Sequence, residues 1–322
     1  MGSGRWSASV YDAGATYRKS TGTSAFAYSD SGLARSKGVH DTLNPKNVTR
    51  ESRDSVEHPQ SLAIAVLFDV TGSMGSVPRK LQEKLPTLFG TLVDKRYATD
   101  PQVLFGAIGD ATCDRVPLQV GQFESDNRTD EHLGNIYLEG GGGGQMTESY
   151  ELAMYFMARH TAIDCYEKRG RRGYLFIIGD EMPYDAVSRF QVSQHIGDNL
   201  TDTLTLESIV EELQRKYHVY YILPAGSSYV GNKDVLGKWR KLLGQGVIEL
   251  DNLDAVSETI ALTIGLSEGN VDLDTGLGHL RDFGSTAGAT VSKALEKVAR
   301  SLVPSGPALV PASTDSDGVE RL

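Results

Sequence analysis

The amino-acid sequence predicts an α/β fold, a doubly wound, mostly parallel sheet with helices on both faces, preceded by an N-terminal arm and followed by a C-terminal helix. Two observations predict it. From residue 61 onward, short apolar runs alternate with segments of helical pattern, the arrangement that yields a parallel sheet covered on both sides. The runs themselves are apolar along their whole length, as strands buried on both faces require.

The elements follow in order. Residues 1–57 are rich in Ser, Gly, Thr and Arg, with scattered aromatics (Trp6, Tyr11, Tyr17, Phe26, Tyr28) and little sustained periodicity. They read as an arm, extended or partly disordered, whose aromatics drape over the main domain or over a partner. The main domain is placed at 58–267. Its strands are 61–69 (SLAIAVLFD), 102–110 (QVLFGAIGD), 174–180 (YLFIIGD), 219–224 (VYYILP) and 247–250 (VIEL). Helices are predicted near 78–97, 147–162, 205–217, 232–243 and 254–266, the first bending at Pro86, which lacks a backbone donor. Residues 268–303 read as a Gly-rich linker and one amphipathic helix, in which Val291, Leu295, Val298 and Leu302 recur on one stripe behind a Thr290 cap. Residues 304–322 read as a disordered tail.

Composition narrows the function. The chain has 322 residues, enough for one principal core, and 42 acidic against 32 basic residues give a formal charge of −10. That balance argues against a general nucleic-acid binder, which needs clustered Lys and Arg. Two cysteines, Cys113 and Cys165, cannot organise a disulfide framework. No apolar run is long enough to span a bilayer and the first residues lack a secretory pattern, so the expectation is a cytoplasmic protein with no membrane partner.

The sharpest local feature is Asp69-Val70-Thr71-Gly72-Ser73-Met74, at the carboxyl end of the first buried strand. Open α/β sheets bind ligands at that end. A carboxylate and two hydroxyls in one tight loop are hard oxygen donors, suited to Mg²⁺, Mn²⁺ or Ca²⁺ and not to metals that seek Cys or His. Ser76 and Pro78 then open a helix directly behind the loop.

This loop resembles the metal ion-dependent adhesion site of von Willebrand factor type A (vWA) domains, an Asp-x-Ser-x-Ser loop after the first strand of a Rossmann-like fold. Thr71 replaces the middle Ser and keeps its hydroxyl. The resemblance covers about residues 60–267 and implies two further elements. After the glycine run at 140–144, such domains present a Thr or, in the integrin β-like form, a Glu; here Thr147 and Glu148 stand side by side, with the preference falling on Glu148. Asp180 ends the YLFIIGD strand where the family keeps an Asp that orients coordinated water. The implied metal set is Asp69, Thr71, Ser73, Thr147 or Glu148, and Asp180, holding one divalent cation, Mg²⁺ first.

Other signals are weaker. The glycine run lacks the Gly-Lys-Ser/Thr of a phosphate loop, having Gln145-Met146 there instead. Asp110 and Asp114 are candidates for the rim of the metal loop or for a satisfied turn. The basic run 168–172 (KRGRR) reads foremost as a solvated loop. The seven histidines show no zinc-hydrolase spacing, and no nucleophile with a matched base is visible. The expectation is therefore a non-enzymatic binding module whose cation captures an Asp or Glu of a protein partner, with the family habit pointing to a MoxR-class AAA+ ATPase. The alternatives are a structural subunit of a larger particle or phage-like assembly and, behind it, a metal-dependent hydrolase working through metal-bound water.

Overall fold

A computed structural model describes residues 4–32, 36–141, 144–282 and 284–302. Its centre is a six-stranded sheet: β1 (Leu62–Asp69), β2 (Pro101–Ile108), β3 (Leu118–Val120), β4 (Gly173–Ile178), β5 (Tyr217–Pro224) and β6 (Val247–Leu250). The order across the sheet is β6-β5-β4-β1-β2-β3, and every pair is parallel except β2 with β3. The molecule is thus a mixed α/β structure with a central, mostly parallel sheet. All eight residues of β1 and of β2 are buried, which is why these runs carry no polar alternation.

β1 sits between β2 and β4, with Asp69 opposite Ile108 and Phe68 opposite Ile178. From β1 the chain order runs outward in both directions. The carboxyl ends of β1 and β4 therefore flank the crevice where the order reverses, the place where open α/β sheets hold ligands.

Helix α2 (Val77–Asp94) follows the Asp69 loop and buries Val77, Leu81, Leu88 and Leu92 along one stripe. The helix expected to bend at position 86 continues as one element through it. Helix α3 (Tyr150–Arg159) packs against α4 (Leu206–Lys216), and α5 (Lys233–Leu243) packs on β5 and β6. Helix α6 (Val256–Ser267) is buried from Val256 to Gly265 and lies against α2 and the terminal helix α8 (Gly288–Leu302). Enclosed by neighbours, α6 has no need of a polar face.

Three expectations change. The segment read as an extended or partly disordered arm contains helix α1 (Ala8–Thr21), capped by the Ser7 hydroxyl accepting from the Val10 amide and closed by Gly22 at φ 66°. Its aromatics give it a bed: Trp6 stacks on Phe89 of α2 at 4.6 Å, the Tyr11 hydroxyl donates to the Gln82 carbonyl at 2.5 Å, and Arg18 pairs with Asp130 at 2.7 Å. Further along, Arg50–Ser52 pairs in parallel with Thr161–Ile163. The stretch read as a Gly-rich linker holds helix α7 (Leu273–Asp282), started by the Asp272 carboxylate accepting from the amide and hydroxyl of Thr275. Gly276 serves contact, since a Cβ there would lie 2.2 Å from Leu262 Cδ1. Finally, α8 begins at Gly288, so Thr290 lies inside the first turn and not at the cap. The stripe of α8 docks within the chain, with Val291, Leu295 and Val298 buried. The predicted disordered tail, 304–322, lies outside the described residues.

Candidate metal centre

The Asp69 loop is held from both sides. The Val70 amide donates to the Ile108 carbonyl at 3.0 Å, extending the β1–β2 ladder by one step. From the other side the glycine run closes in: Gly140 N donates to Val70 O at 3.2 Å and Gly72 N to Gly141 O at 2.8 Å. Side chains are excluded from this approach, because a Cβ on Gly72 would meet the Gly140 carbonyl oxygen at 3.2 Å. Gly142 and Gly143 lie outside the described residues. A single 3₁₀ turn, Gly72–Met74, then leads into α2, whose Ser76 cap makes no side-chain hydrogen bond.

Within the loop the predicted oxygens form a continuous chain. The Thr71 amide and hydroxyl donate to Asp69 Oδ1 at 2.7 and 2.6 Å, and Thr71 Oγ1 lies 3.1 Å from Ser73 Oγ. The Ser73 hydroxyl donates to Asp180 Oδ1 at 2.8 Å, joining the loop after β1 to the loop after β4. The Tyr229 amide fixes the second Asp180 oxygen at 3.1 Å. Asp69, Thr71, Ser73 and Asp180 are thereby brought together.

Of the adjacent pair, Glu148 is the buried member, 2% exposed, while Thr147 is half-buried and, among the described residues, makes no hydrogen bond to the loop. The two were expected to open a helix. They instead form a two-residue parallel ladder with Met182–Pro183, and α3 starts at Tyr150. That ladder brings Glu148 next to Glu181, and each has its Oε2 buried without a hydrogen-bond partner.

The electrostatics follow from burial. Asp69 is pushed up to about 7 by loss of solvent, against the lowering effect of the Thr71 bonds, with the Asp180 charge adding to the rise. Glu148 and Glu181 are raised first by burial and next by the charge on Asp69. Asp180 moves up for the same first reason. Among the described residues no Lys, Arg or His forms an ion pair with any of these four acids.

This donor set fits a hard divalent cation. With Asp69 and Asp180 ionised, each hydroxyl's single proton is committed to a carboxylate, and the 3.1 Å contact between Thr71 Oγ1 and Ser73 Oγ then has no proton of its own. Two oxygen lone pairs facing each other beside uncompensated acids are what a cation would use. Among the described residues no three Asp, Glu, His or Cys side chains gather closely enough to hold an ion by themselves; here hydroxyls supply half of the Asp69–Asp180 link. The set opens on a hollow of about 230 Å³ bordered by Thr71, Ser73, Gly141, Gln145, Glu181 and Tyr229.

Two participants are absent from the sequence-based set. Tyr150 donates its hydroxyl to Asp69 Oδ2 at 3.0 Å from a fully buried position, and a Cβ on Gly179 would lie 2.0 Å from that hydroxyl. No sequence pattern announces it, since the approach depends on how α3 packs over the end of β4. Glu181 had a signal, a second carboxylate directly after Asp180 in a strand-end loop. Asp110 is a satisfied turn: Thr112 N, Thr112 Oγ1, Gln145 Nε2 and Tyr184 OH all donate to it, and Asp114 accepts from its amide at 2.7 Å. The basic run is tied down by its own chain, with Lys168 on Asp164 at 2.6 Å, Arg169 on Asp54 at 2.6 Å and Arg171 on Glu268. Cys113 and Cys165 are free thiols, the first exposed and the second buried.

No protein-family model matches the chain, and no curated protein matches it. Among solved structures it is similar to the open conformation of the pilus adhesin SpaC from Lactobacillus rhamnosus GG, at 9% identity and a TM-score of 0.46, over 70% of this chain and 31% of that one. It is also similar to proximal thread matrix protein 1 from the mussel byssus, at 10% identity and a TM-score of 0.41, over 64% of this chain and 46% of that one. The chain spans less than half the length of either, and likenesses this distant do not bear on function.

Proposed function

We propose that this chain is a metal-dependent protein-binding module, a doubly wound vWA-like domain that holds one divalent cation on Asp69, Thr71, Ser73, Glu148 and Asp180. The observation that carries the reading is the pair of hydroxyl oxygens whose protons are already spent on Asp69 and Asp180, set at the sheet's switch point beneath an open hollow. When bound, a cation there supplies a coordination position for a carboxylate from a partner. Asp69 and Asp180 orient the hydroxyls, Tyr150 anchors Asp69 from behind, and Gly140 and Gly141 hold the loop by backbone hydrogen bonds. The partner presents an Asp or Glu, and a MoxR-class AAA+ ATPase is the context proposed for it. The assembly-subunit alternative drew on an arm and a last helix free to dock neighbouring copies; Trp6, Tyr11, Val291 and Leu295 spend their apolar surfaces within the chain.

Calorimetric titration of Mg²⁺, Mn²⁺ and Ca²⁺ into metal-stripped protein tests the reading. One ion should bind to wild type and none to Asp69→Ala, and capture of a partner should vanish with chelator and with the same variant. A wild type that takes up no ion would sink the proposal.

A further inference from the structure

At the opposite end of the sheet, where β1 and β2 begin, a cavity of about 470 Å³ lies between the N-terminal segment and helix α2. We propose that it is a binding site for a small amphipathic acid, a flat apolar ring carrying one carboxylate. The volume is that of a pocket for a small organic ligand, and its lining is mostly apolar. Trp6 stacks on Phe89 at an interplanar angle of 12°, giving a planar aromatic wall, with Ala98 and Pro101 beside it.

Polar groups give the site its direction. Arg5 and Arg96 line the cavity and are exposed, and among the described residues their guanidiniums form no ion pair or hydrogen bond. Two unpaired guanidiniums at the edge of an apolar pocket are a ready seat for a carboxylate. Arg96 follows the end of α2 in the left-handed conformation, φ 55°, that commonly closes a helix. Two acids line the cavity as well: Asp100 accepts from the Gln60 amide at 3.0 Å, and Asp94 lies one turn along α2 from Gly90. Deeper in, His58 is 6% exposed; its Nε2 contacts the Gly4 carbonyl at 2.8 Å, and its Nδ1 is buried with no hydrogen-bond partner, 3.7 Å from Asp100 Oδ1.

The probe is 2-naphthoate, with 2-naphthamide as its uncharged counterpart. Binding is read from quenching of Trp6, the chain's only other tryptophan being the buried Trp239. The full-length protein should bind one equivalent of the acid saturably and the amide about tenfold more weakly, and Arg96→Gln should remove that preference. Gly90→Leu is the blocking variant. Gly90 lines the cavity from α2, a Cβ there meets nothing nearer than Asp94 Oδ2 at 3.8 Å, and leucine suits a helix, so the variant should melt no lower than wild type. It should abolish probe binding while divalent-cation uptake at the Asp69 loop is unchanged. Absence of saturable binding to wild type, equal binding to Gly90→Leu, or equal affinity for acid and amide would each overturn the proposal.

Discussion

Individual side chains divide the labour at the Asp69 loop unevenly. Glu148, buried and facing Asp69, is expected to matter for the ion: Glu148→Gln should weaken cation affinity by roughly tenfold to a hundredfold, the range seen when groups around a metal are altered. Thr147→Val, at a half-buried position without a bond to the loop, should change it by less than about twofold on the same reasoning. Calorimetry on the pair decides which is the ligand, and a larger loss in Thr147→Val would reverse the assignment. Tyr150 acts differently, by satisfying Asp69 Oδ2 from a fully buried position. Tyr150→Phe should cost about 1–3 kcal/mol of unfolding free energy in urea, the usual penalty for stranding a buried polar atom. Part of that loss should return on adding Mg²⁺, because a bound cation compensates the same carboxylate.

Elements show what the sequence revealed and what it withheld. The five parallel strands were legible to within a few residues because each is built around a short apolar run, a signal that depends on burial. The antiparallel strand β3 was not: three residues on an edge give too short a pattern, and its place depends on Gly106, where a Cβ would sit 2.4 Å from Leu67 Cδ2 and 2.8 Å from the Gln119 carbonyl oxygen. Gly106→Ala should therefore destabilise the fold by roughly 1–3 kcal/mol, as overpacked cores do, a difference readable as a shifted denaturation midpoint at constant slope. Helices α1 and α7 escaped for the opposite reason. The periodicity of α1 is weak and α7 is masked by its glycines, and both are held by tertiary contacts, Trp6 and Tyr11 on α2 in one case and Gly276 against Leu262 in the other. Asp69, Thr71 and Ser73 stood out as an oxygen-rich loop at the end of a buried strand, and Asp180 followed from the vWA resemblance. Tyr150 could not, because only packing brings it there.

At the scale of the whole molecule, the buried acids couple stability to pH. In the absence of metal, Asp69 titrates near 7 in place of its ordinary 3.8, and Glu148 and Glu181 are raised above 4.5 by burial. An acid with a raised folded-state value holds its proton more tightly folded than unfolded. Its stabilising contribution is complete below the unfolded value and is lost as pH climbs toward the folded one. Chelator-treated protein should therefore melt progressively lower from pH 4.5 through 7 and beyond, and saturating Mg²⁺ should flatten that dependence. Identical slopes with and without the ion would show that these acids are compensated by something else. The strand order has a consequence in time as well. During synthesis β1 can pair early with β2, but its other neighbour, β4, is made only after a long intervening stretch, so one flank of the most apolar strand waits open. Chains halted before Gly173 should accumulate as sedimenting aggregate, while the finished chain, with that flank covered, should refold slowly and stay dispersed.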